Sequence, residues 1–128
     1  MKEFNTDVTH MIADFYGIRN YKVLNDENKL MDFVKKAVKL SHAELLTIHS
    51  HKFDPQGITI TGILSESSVD IHTYPEHKYM SVSFYTCGDR AKPSNGIRYL
   101  SGRLRPDKIN TATFRRGGID GITMDNPL

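Results

Sequence analysis

A chain of 128 residues with 17 Lys+Arg against 15 Asp+Glu carries a net charge of +2 and can bury about two-thirds of its unfolded surface, enough for one hydrophobic core. At 38% hydrophobic and 25% charged it has a globular composition, and no apolar run approaches the roughly 20 residues needed to cross a bilayer. The first ten residues hold two acids and no apolar stretch, so they are not expected to be a secretory signal, and the single cysteine, Cys87, suits a reducing cytoplasm.

The elements follow in chain order. Met11–Ile18 is apolar and aromatic and predicts a strand. Between Asn25 and Leu40, Leu30, Phe33, Val34, Ala37 and Val38 recur at spacings of three and four. That is an amphipathic helix, with Asn25 or Asp26 as its cap. Ala43–His51 reads as a strand, with Leu45, Thr47 and His49 alternating with Leu46, Ile48 and Ser50. Pro55-Gln56-Gly57 is a turn, and the β-branched Ile58–Leu64 is a strand. Val69–Thr73 and Tyr79–Thr86 are two more strands, parted by a turn at Pro75. Ile97, Leu100 and Leu104 mark a second helix over Pro93–Leu104. Ile109–Phe114 is a last strand, and the Gly-rich tail after Arg116 is expected to fray.

The fold class is therefore α+β. One domain over 1–128 forms a two-layer sandwich, an antiparallel sheet with two helices on one face. A second copy covering the other face would give a four-layer αββα dimer.

Reactive side chains concentrate between His49 and Asp89. The plain readings are solvent-facing histidines, a small buried Cys87 and a loop at Ser65-Glu66-Ser67-Ser68. His49 and His51 would share a strand face and, with His72 or Cys87, could offer three zinc ligands. No tight ligand spacing supports this, and no metal is expected. A Cys87–His nucleophile pair needs a meeting in space that spacing cannot show. Arg103, Arg105, Lys108, Arg115 and Arg116 lack an aromatic platform, so they read as a solvated surface and predict no nucleic-acid partner.

Three runs go further. His51-Lys52-Phe53-Asp54-Pro55-Gln56-Gly57, Ser65 through Glu76 (SESSVDIHTYPE) and Phe84-Tyr85-Thr86-Cys87-Gly88-Asp89 together resemble the prokaryotic S-adenosylmethionine decarboxylase family, short self-processing proenzymes that depend on a pyruvoyl group. The close match covers about residues 51 to 89. Ser67, His72 five residues on and Cys87 twenty on each sit inside a local motif.

The resemblance implies self-cleavage between Glu66 and Ser67, giving a β chain of 1–66 and an α chain of 67–128. Ser67 becomes the pyruvoyl cofactor, whose ketone condenses with the substrate amine and withdraws electrons as carbon dioxide leaves. His72 is implied as the base that takes the serine α-proton. It is expected to lie across a short turn or down the next strand from Ser67. Cys87 is implied as the proton donor to substrate. Thr59 stands where the family has a serine supporting the cleavage. Phe53 matches an aromatic that stacks on adenine, and Glu76 a carboxylate that binds ribose hydroxyls. Tyr74 stands where tryptophan is usual, and Glu66 could still touch substrate after cleavage.

Ser68 and Asp70 depart from the family pattern. Since some members act on arginine or ornithine, Asp70 or Asp54 could serve a cationic side chain. Phe53 and Glu76 favour S-adenosylmethionine, and with it a role in spermidine synthesis. A non-catalytic partner subunit would be expected to have lost Ser67, His72 or Cys87, and none is lost. Active sites shared between two protomers are a further implication, so a homodimer is expected.

Overall fold

β1, Asn5–Tyr16, is the strand around which the rest assembles. The structure, a computed structural model, describes residues 5–125. A short 3₁₀ turn at Tyr21–Asn25 leads into α1, Glu27–Leu40, whose first turn is capped where the Asp26 carboxylate accepts the Lys29 N–H at 3.1 Å. Then come β2 (Leu45–Lys52), β3 (Ile58–Leu64), β4 (Ser67–Tyr74) and β5 (Tyr79–Cys87). α2 (Pro93–Leu104), β6 (Lys108–Gly118) and β7 (Thr123–Asp125) complete the order.

All seven strands form one sheet in the order β2-β3-β4-β5-β1-β6-β7, with every neighbouring pair antiparallel. β1 is thus inserted between β5 and β6, which α2 connects. The expected two-layer architecture is present. Period-two alternation sends Phe15, Ile60, Ile71, Met80 and Phe84 to one face, where they bury against Leu30 and Val34 of α1 and Ile97 and Leu100 of α2. The helices meet closely at Gly96: a β-carbon there would lie 2.8 Å from the Ala37 carbonyl oxygen and would also strike the Ser41 hydroxyl. Among the described residues the opposite sheet face carries no helix, and it exposes Ile12 and Ile63.

Three expectations are corrected. The first strand starts at Asn5 and ends at Tyr16, because its outer half pairs with both β5 and β6 although its sequence is polar. Strict alternation fails in β2, where the register shifts between Leu45 and Thr47; Leu46 turns outward while Leu45 and Ile48 both pack on the core. The tail is ordered through Asp125: β6 continues to Gly118 and β7 returns along it, held by an Arg115–Asp125 ion pair of 2.7 Å. Gly117 has φ +76, and a β-carbon there would collide with Thr6, so glycine is needed where β6 passes the register shift between Asn5 and Val8 of β1. Residues 126–128 of that tail lie outside the described residues.

Candidate active site

The β3–β4 hairpin pairs Leu64 with Ser67, leaving Ser65 and Glu66 as a two-residue turn. The Ser65 N–H donates to the Glu44 carbonyl at 2.8 Å, which ties the turn to the α1–β2 connection. Glu66 has φ +62, the left-handed region that costs a residue with a β-carbon about 1 kcal/mol. Ser67 comes next and is partly buried. Residues 42–44, 65–67 and 87–91 enclose a cavity of about 260 Å³, so Ser67 and Cys87 line one space. The fold therefore brings Glu66, Ser67 and Cys87 together, and Cys87 is only partly buried there.

The other implied residues lie at the far end of the sheet. Thr59 pairs directly with His72, and its hydroxyl is 3.0 Å from His72 Nδ1. His72 borders a second cavity of about 260 Å³ on the open face, with Asp14, Asp70 and Ser81. With Nδ1 engaged, Nε2 is the nitrogen left for proton transfer. Tyr74 packs on Tyr79 at 5.5 Å, and Tyr79 on Tyr16 at 5.3 Å, around a third cavity of about 410 Å³. Phe53 stands edge-on to His51 at 4.5 Å. Phe53 is 49% exposed and Tyr74 45%, so neither ring is core packing. Glu76 is exposed on the 3₁₀ turn Pro75–His77.

Ser67 and His72 do not meet within one chain. They lie on the same strand, five residues and about 17 Å apart, and the odd spacing points them to opposite faces. Of the two expected placements, across a short turn or down the next strand, the structure shows the second, because the turn falls before Ser67 and β4 carries both residues. Cys87 is likewise remote from His49 and His51, which share the open face near Thr59 and Thr61. Among the described residues no group of three His, Cys, Asp or Glu is placed to hold a metal. Asp70 accepts the Thr61 hydroxyl at 2.7 Å, and neither it nor Asp54 borders the Ser67 cavity. The basic residues are dispersed: Arg103 stacks over Tyr99 beside α1, whereas Arg116 lies over Tyr85 on the open face.

The sequence profile of the family described as S-adenosylmethionine decarboxylase matches residues 9–117. The chain belongs to the S-adenosylmethionine decarboxylase family. It is 41% identical over 101 residues to the S-adenosylmethionine decarboxylase proenzyme of Pyrobaculum aerophilum, covering 78% of this chain and 80% of that protein. Identity to the proenzyme of Methanococcus maripaludis strain C5 is 36% over 111 residues, or 87% and 90% of the two chains. The crystal structure of the adenosylmethionine decarboxylase from Aquifex aeolicus superposes with a TM-score of 0.81 at 30% identity, covering 90% of this chain and 94% of that one.

This member of the S-adenosylmethionine decarboxylase family also has site neighbours that motif reading passed over. Arg90 and Glu44 line the Ser67 cavity. Arg90 stands three residues after Cys87, directly past the Phe84–Asp89 run, and its charge was the available signal. On the open face the Tyr79 hydroxyl donates to Asp14 at 2.6 Å; burial first, and this bond second, raise it far above the ordinary tyrosine range and keep it a donor. No helix among the described residues is long and apolar enough to cross a membrane.

Proposed function

We propose that this member of the S-adenosylmethionine decarboxylase family cleaves itself between Glu66 and Ser67 and then removes the α-carboxylate of S-adenosylmethionine, yielding the aminopropyl donor for spermidine. The relatives described above carry that substrate in their names, which favours it over arginine or ornithine. The observation that carries the self-cleavage is the strained Glu66, φ +62, immediately before a serine that shares a cavity with Cys87.

In the cleavage the Ser67 hydroxyl attacks the Glu66 carbonyl and turns the amide into an ester, releasing the strained turn. A base removes the Ser67 α-proton, the Cβ–Oγ bond breaks, and Glu66 departs as a carboxylate. Water then expels ammonia, leaving a pyruvoyl group at residue 67. When present, that group supplies a ketone beside an amide carbonyl, a sink for the electrons left by departing carbon dioxide. The Cys87 thiol returns a proton to the substrate α-carbon.

His72 can serve as the base only from another chain, because its own Ser67 lies a strand's length away. A two-fold axis between two open sheet faces, perpendicular to the strands, sets the Ser67 end of one protomer against the His72 end of its partner. The partner subunit's His72, steadied by the partner's Thr59, is then brought to the strand end where the Ser65–Glu66 turn precedes Ser67. The partner's Phe53 and Tyr74 offer rings for adenine, and the partner's Glu76 a carboxylate for the ribose hydroxyls. The thiol chemistry suits a reducing cytoplasm.

Intact-mass measurement tests this. Purified wild type should give two fragments, 1–66 and a 67–128 fragment blocked at its N-terminus, and Ser67→Ala one inactive chain. A wild type that stays whole yet releases carbon dioxide from S-adenosylmethionine would overturn the reading, and release from arginine or ornithine alone would overturn the substrate.

A further inference from the structure

We propose that Arg90 is the docking site for the new C-terminal carboxylate that self-cleavage creates at Glu66. The proposal rests on the cleavage reading above, and its physical basis is a change of charge. In the uncut chain the residues lining the cavity around Ser67 include three acids, Glu44, Glu66 and Asp89, the imidazole of His42 and one guanidinium, Arg90. Breaking the Ser67 Cβ–Oγ bond sends the electron pair and that oxygen out with Glu66. The former Glu66 carbonyl thereby becomes a carboxylate, and the cavity gains a fourth negative charge. Repulsion from the three existing carboxylates would push the cut end of the β chain away.

Arg90 is the one permanently charged cation in that lining. It has no ion-pair partner among the described residues. Its loop leaves β5 immediately after Cys87, where the Gly88 N–H donates to the Asp7 carbonyl at 3.0 Å and anchors the loop's start. A guanidinium presents a planar fork of donors that matches a carboxylate in two-point geometry, which an ammonium does not. Holding the cut end there would keep 1–66 seated beside residue 67 and leave the Ser67 side of the cavity open for substrate.

The test compares four proteins by thermal denaturation: self-cleaved wild type, self-cleaved Arg90→Ala, uncut Ser67→Ala, and uncut Ser67→Ala/Arg90→Ala. Arg90 is exposed in a loop, so each should fold. In the uncut pair, removing Arg90 should move Tm by less than about 1 °C. In the cleaved pair it should lower Tm by about 2–4 °C, and that gap should close in high salt. Arg90→Lys should recover only part of it. Equal effects of Arg90→Ala on cut and uncut proteins overturn the proposal. So does an Arg90→Ala protein that never cleaves, which would assign Arg90 to the cleavage step. A wild type that is itself uncut fails the underlying reading, and this proposal with it, by a separate observation.

Discussion

Glu66 is where conformation and chemistry coincide. A glutamate at φ +62 sits in a region that glycine enters freely, and the following residue holds the hydroxyl that would attack its carbonyl. Strain at that peptide raises the starting state and is relieved once the bond is cut. Glu66→Gly should therefore slow cleavage several-fold without unfolding the protein, because it removes a steric cost of about 1 kcal/mol. The half-time of precursor loss, followed by intact mass, measures this; a rate equal to wild type would show that the turn stores nothing useful. The neighbouring departures Ser68 and Asp70 do not border the Ser67 cavity, and the Asp70 carboxylate accepts the Thr61 hydroxyl on the open face.

Elements hold these residues in place through a few close contacts. α1 and α2 approach at Gly96, whose missing side chain lets the Ala37 carbonyl and Ser41 come near. The same region places the 42–44 connection against the Ser67 turn and the loop after Cys87. The Lys92 N–H donates to the Ser41 carbonyl at 2.7 Å, so the loop bearing Arg90 is tied to the end of α1. Gly96→Ala should cost about 1–3 kcal/mol, read as a lower urea midpoint, because the added methyl meets backbone that cannot step aside. A neutral substitution would mean that the helices separate more easily than their packing indicates.

For the whole molecule, the division of the implied site between two ends of one sheet makes a direct prediction. Ser67→Ala spoils one end and His72→Ala the other, so each homodimer should be inactive or nearly so. Mixed dimers regain one site with both ends intact. With random pairing, co-expression should restore about a quarter of wild-type decarboxylation. Activity of the mixture no greater than that of the separate variants would place the whole site within one chain.

Much of this was legible in the residues. Helical spacing located α2 at its observed limits, and α1 to within its capping turn, since Leu30, Val34, Ile97 and Leu100 face the core at the period a helix imposes. β-Branched alternation located β3 and most of β4 and β5, and local motifs singled out Glu66, Ser67 and Cys87, which the fold then gathered around one cavity. The polar start of β1 and the glycine-rich return of β7 carried no such period, because their order comes from strands far away in sequence. Composition and periodicity, being local, determined the element types, and the family resemblance of three short runs supplied the implied site residues. Only tertiary structure decided that β1 sits between β5 and β6 and that Ser67 and His72 face apart, because strand pairing and the turn position set the face of every side chain at long range.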